Sequence, residues 1–196
     1  MNFPEIKHYE HCQACKERVR QMLVALHGDC HPSRQFPWPA KPEDYASAAV
    51  GDTLQRIRAA LGELRGHRGF IKSALVPPCD YYLPQRKQIV EFDEDQHFSR
   101  PRLATLLLYP AQLEYGFALD HWKDLCRRIA AVDDTPIDRD ERRAWYDVLR
   151  DLVPTIHGFA PTVRLYAGDH VWCSLDPANS KDRESFLRFF NKPTQS

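Results

Sequence analysis

The amino-acid sequence predicts an α/β chain, a small mixed sheet of about five strands with helices on both faces, preceded by a helical N-terminal region. Three observations carry that expectation. Up to Arg65 apolar residues recur at helical spacing, between Phe70 and Asp93 the pattern breaks into short β-prone runs, and after Ser99 helical stripes return before further β-prone runs. At 196 residues the chain can bury one proper core, with 1–42 read as an N-terminal helix and Pro-rich loop and 43–196 as the α/β domain.

Val19, Met22, Leu23 and Leu26 place a first helix from Ala14 to His27, and Gly28 stands where it would stop. Pro32, Pro37, Pro39 and Pro42 make the next stretch a loop, anchored by Phe36 and Trp38. Leu54, Ile57, Leu61 and Leu64 mark a second helix over about Glu43 to Arg65. Phe70-Ile71, Ala74-Leu75-Val76, Asp80 to Leu83 and Gln88 to Asp93 read as a meander of three strands. Ser99 caps a helix with Pro101 in its first turn and Leu103, Leu106 and Leu107 on its apolar face. Trp122, Leu125, Cys126 and Ile129 define a helix from Leu119 to Ala131, and Asp138 with Glu141 forms a capping-box-like start for the next one. Thr162 to Ala167 and His170 to Leu175 read as a hairpin turning at Gly168-Asp169, and Ser185 to Phe190 as a last short helix before a frayed tail.

The 27 basic and 27 acidic side chains cancel, which excludes a polybasic binder held to nucleic acid by bulk charge. Neither Met1 to His8 nor any later run has the apolar length of a signal peptide or a membrane span, so the chain is expected in the cytoplasm, away from membranes. In that compartment the six cysteines are expected as thiols or metal ligands rather than disulfides.

Chemistry concentrates between Asp80 and His97. On a strand, side chains alternate, so Glu91 and Asp93 share one face while Val90 and Phe92 share the other. Two carboxylates placed inside a β-branched and aromatic run repel each other unless a cation relieves them. Asp80, on the preceding strand, can bring a third. Oxygen ligands of this kind suit Mg²⁺ or Mn²⁺. His97 stands just past the strand, where it could relay a proton, and Gln96 could orient a water molecule.

These residues also resemble a family. Pro78-Cys79-Asp80-Tyr81-Tyr82-Leu83-Pro84, followed by Glu91-Phe92-Asp93-Glu94-Asp95-Gln96-His97, is similar to the very-short-patch-repair-like branch of the PD-(D/E)xK nucleases. Asp93 stands where the superfamily's usual lysine would be, as in other members of that branch, and Glu94 replaces a common glycine. The resemblance implies a restriction-endonuclease-like sheet, completed by the helix around Asp140 to Tyr146 and the strand Val163 to Tyr166, with an insertion near 111–138. It further implies a metal-dependent endonuclease acting on DNA, with RNA left open. Asp80, Glu91 and Asp93 would hold the metal and His97 would move the proton.

An acidic residue from the helix before the first strand often assists in that superfamily, and Glu63 is the candidate. Arg142 and Arg143 could meet phosphate, or simply pair with Asp138 or Asp147 on a surface helix. A neutral chain of this size has little surface for reading sequence alone, so a homodimer or a larger nucleic-acid-processing complex is plausible. Two other readings stay open: a binding module that keeps the nuclease fold without cleaving, and a zinc-stabilised adaptor. For the last, Cys12-x₂-Cys15 followed by His27, Cys30 and His31 nearly satisfies a zinc-finger count. Cys15 to His27 reads as one continuous helix, however, which would hold the two ends of that set apart. Zinc at Cys12, Cys15, Cys30 and His31 is therefore not expected.

Overall fold

A computed structural model describes residues 11–191; the segment Met1 to His8 and the expected frayed tail lie outside them. Helices and strands follow in the order α1 (Gln13–His27), β1 (His31–Pro32), α2 (Gly51–Leu64), β2 (Tyr81–Leu83), β3 (Gln88–Asp93), α3 (Arg100–Leu106), α4 (Leu119–Ile129), α5 (Arg139–Ile156), β4 (Val163–Tyr166) and α6 (Ser180–Phe190). The chain is mixed α/β with one four-stranded sheet of order β1-β2-β3-β4, in which β4 runs parallel to β3 and the other pairings are antiparallel. Among the described residues the strand count is therefore four where about five were expected. No helix among the described residues is long and apolar enough to cross a membrane.

β2 and β3 form a hairpin because Pro84 to Arg86 make a tight 3-10 turn and Lys87 takes a left-handed conformation, φ 45°, that reverses the chain. Parallel β4 needs a long crossover, which α3, α4 and α5 supply. Two faces result. Phe92 packs edge-on against Trp172, 5.9 Å between ring centroids, and Trp172 in turn meets Phe186 and Phe189 of α6. Glu91 and Asp93 point the other way, level with Arg164 and Tyr166 of β4, toward α5.

Several expectations are corrected. α2 begins at Gly51 rather than Glu43, because Pro42 to Tyr45 close a separate 3-10 turn and the chain re-enters against the Tyr45 carbonyl, where any Cβ would collide. Residues 70–76 carry no strand: Leu75 makes only an isolated bridge to Pro39, and the amides of Lys72 and Ser73 donate to the Tyr146 hydroxyl. The third antiparallel strand is β1, taken from the Pro-rich loop, whose Phe36 and Trp38 do stack, 4.5 Å apart.

The hairpin expected at 162–175 does not form: its first run is the strand β4, but its second run is no strand and β4 pairs in parallel with β3. After β4 the chain folds into 3-10 turns at 167–169 and 172–174, and the indole of Trp172 donates to the carbonyls of Tyr166 and Ala167. Nor does the capping box form. Asp138 makes no cap bond and instead pairs with Arg142 and Lys72, while Glu141 holds Arg65 through two bonds of 2.5 Å. Ser99 caps α3 as expected, accepting the Arg102 amide, although Leu107 at its end is exposed. On the far side of β4, Gly116 bridges Val163, a close approach that the Thr162 carbonyl would deny to any residue with a Cβ.

Candidate active site

Hairpin pairing places Asp80 one residue beyond the Tyr81–Val90 pair, opposite Glu91. Asp80 Oδ2 accepts the Phe92 amide at 2.8 Å, and the Asp80 amide points to Glu91 Oε1 at 3.4 Å. The two acids are thus brought together as the sequence suggests. Glu91 is only 3% exposed, and this burial pushes its carboxyl up to about 8; Arg150, with Nε 3.6 Å away, opposes the rise and Asp80 adds to it. Such a carboxyl stays protonated near neutrality unless positive charge arrives.

Asp93 is engaged differently. Its Oδ1 accepts from Arg164 Nη1 at 2.6 Å and its Oδ2 from the Trp122 indole at 2.7 Å. Among the described residues, two sets of three groups bring ligand atoms all within 4.8 Å of one another: Asp93, His97 and Asp147, and Cys12, Cys15 and Cys173. Asp80, Glu91 and Asp93 do not form such a set. Arg164, level with Glu91 on β4, takes Asp93 into its own ion pair.

His97 stands on the 3-10 turn after β3, with Nδ1 3.0 Å from Asp147 Oδ2 and 3.5 Å from Asp93 Oδ1. Its side chain keeps 18% exposure, and among the described residues Nε2 has no hydrogen-bond partner. Burial works against the Asp147 anion, yet His97 and Arg164 outweigh it and hold the carboxyl well below the usual range. An imidazole tethered through Nδ1 to a buried carboxylate presents Nε2 in a fixed direction, the arrangement that suits proton transfer.

Asp147, read from sequence only as a surface ion-pair partner for Arg142 or Arg143, is instead fully buried and holds His97. Its signal lies in α5, where Asp140, Asp147 and Asp151 recur at helical spacing on a face that also carries buried apolar residues. Behind the dyad, Arg164 Nε donates to Asp151 Oδ1 at 2.7 Å, and Asp151 Oδ2 accepts from Arg102 at 2.7 Å and from Tyr109 at 2.6 Å. Charges buried in this way persist only because each is paired.

Of the remaining predicted residues, Gln96, Arg142 and Arg143 are tied within the chain. Gln96 donates to Glu94 and accepts from Arg143, which also reaches Asp133 and Asp140. Arg142 pairs with Asp138, and Glu63 is exposed beside Arg58 and Arg68 on a separate groove. His31 lies exposed on β1 opposite Tyr82, and neither it nor buried Cys30 joins the Cys12–Cys15 pair. A groove of about 460 Å³ runs beside the His97 turn, lined by Glu94, Asp95, Gln96, Ile129, Val132 and Asp133 among others. One oxygen of Glu94 is buried there with no hydrogen-bond partner among the described residues, and the other lies 3.6 Å from Lys16. Compared with protein-family models, with curated proteins and with solved structures, the chain finds no match.

Proposed function

We propose that this chain is a metal-dependent endonuclease of the PD-(D/E)xK type that hydrolyses phosphodiester bonds in DNA. The observation that carries the reading is the His97–Asp147 pair together with Asp80 and Glu91, neighbours across the hairpin through the contact of the Asp80 amide with the Glu91 carboxyl. The hairpin, the crossover through α5 and the parallel β4 are compatible with the core that the Asp80 to His97 motif implies.

Asp80 and Glu91 would hold the cation. Their donors are all oxygen, and Glu91, which burial drives toward its neutral form, is relieved by a divalent charge. Bound there, Mg²⁺ or Mn²⁺ supplies Lewis acidity and lowers the charge on the phosphate. His97 accepts or returns the proton at Nε2 while Asp147 fixes the ring. Asp93, both of whose oxygens are occupied, positions Arg164 and Trp122 rather than serving as a free ligand. The positive charge that the usual lysine would bring is present nearby as Arg150 and Arg164.

Single-turnover cleavage of plasmid, duplex, single-stranded DNA and RNA, in Mg²⁺, Mn²⁺ and EDTA, tests the proposal. Asp80→Asn and Glu91→Gln should abolish cleavage while sparing DNA binding, and His97→Ala should slow it by about 10²–10⁴-fold. Cleavage by Asp80→Asn at the parent rate would sink the reading. The engagement of Asp93 favours a second one, a binding module without hydrolysis, which tight binding without cleavage in any metal would identify.

A further inference from the structure

We propose that Cys12, Cys15 and Cys173 bind one zinc ion that fastens the start of α1 to the turn at 172–174. The three sulphurs, two from one end of the chain and one from the other, lie within 4.8 Å of one another. Cys12 is the N-cap of α1 and its sulphur accepts the Cys15 amide at 3.4 Å, so the first turn itself sets the two side chains on one side. Cys173 arrives because Trp172 is fully buried between Phe92 and α6, which fixes the turn that follows β4. Arg18 of α1 donates to the Leu175 carbonyl and secures the same junction from the other side.

Two cysteines at x₂ spacing with a third from a remote segment are a sulphur set for a soft, tetrahedral cation, and zinc is the ion of that preference without redox chemistry. Binding turns three thiols into thiolates and releases three protons to solvent. Three sulphurs leave one tetrahedral position. The ligand set differs from the one suggested by spacing, since Cys30 and His31 sit elsewhere. It shares no residue with Asp80, Glu91 and His97, so the proposal is independent of the nuclease reading.

The test is elemental analysis of untagged protein purified under reducing conditions, joined to titration of the metal-free chain with Co²⁺. About one zinc per chain is expected. It should be lost from Cys12→Ser and Cys173→Ser, and retained by Cys30→Ser and His31→Ala. Should the cysteine variants fail to fold, the unaltered chain still decides, because Co²⁺ on thiolates gives intense sulphur-to-metal absorption and tetrahedral visible bands. A chain that carries no zinc and gives no such bands with Co²⁺ overturns the proposal. So does iron in place of zinc, or zinc that survives in a folded Cys173→Ser protein.

Discussion

Arg164 donates to the carboxylates of Asp93, Asp147 and Asp151 while its side chain has no exposure at all. Removing it would take a charged partner from three buried anions at once, and breaking even one buried pair costs about 3–5 kcal/mol. Arg164→Met is therefore expected to lose at least that much in urea unfolding, where the isosteric Asp95→Asn, on a half-buried turn, should lose far less. Glu91 behaves in the opposite sense with pH. Its folded carboxyl sits near 8, above the ordinary 4.5, so its contribution is complete below about 4.5 and declines as pH rises toward 8, because the unfolded chain ionises first. In EDTA, Glu91→Gln should become more stable relative to the parent across that window, by an amount on the order of a few kcal/mol. A constant difference from pH 4.5 to 8 would refute the buried, proton-holding state. The Asp80 and Glu91 apposition was legible in the sequence because strand alternation and a short hairpin are local rules. The Asp93 partnership was not, since Arg164 and Trp122 reach it from 71 and 29 residues away.

Among the elements, α5 explains why a helix can be read correctly and its role missed. Its apolar residues Ala144, Trp145, Val148, Leu149 and Leu152 are buried as the periodicity implies, but so are Asp140, Glu141, Asp147 and Asp151. Acidic residues on a helix ordinarily face water, and partners from β4, α3, the residue after α2, the His97 turn and α5 itself reverse that preference here. Helices carried by stripes, α1, α4 and the body of α2, were legible for the same reason that the 3-10 turns replacing the expected hairpin at 167–175 were not. A stripe is a property of the segment, whereas the Trp172 indole that occupies the carbonyls after β4 is decided by burial against α6. Gly51→Ala tests the start of α2: with a methyl against the Tyr45 carbonyl, a loss of about 1–3 kcal/mol is expected by thermal melting. Gly66→Ala has open space and serves as the reference for backbone conformation alone, since Gly66 has φ 82°.

Over the whole molecule, the sheet divides two kinds of interior. One side is aromatic, Phe92 against Trp172 and α6; the other is ionic, built on Arg164, Asp147 and Asp151. Salt screens exposed charges well and buried pairs poorly. The unfolding free energy should therefore change by no more than about 1 kcal/mol between 0.05 and 1 M NaCl in a nondetergent buffer, the range expected of surface pairs alone. A fall several times larger would mean that the ionic side is open to solvent. The neutral balance of 27 against 27 charges was legible, but not that so many of them lie inside.

The sheet's two margins have a consequence of their own. β1 is two residues long and ends in Pro32, which has no amide to offer, and the outer side of β4 is approached at Val163 by the backbone of Gly116. Neither margin presents a long, flat row of unsatisfied donors and acceptors, the template on which a neighbouring molecule adds a strand. Among the described residues, then, folded copies crowded at high concentration find no ready seam along the margins of this sheet, and a fibre that grows by adding strands there begins from molecules that have first lost β1 or the Gly116 contact.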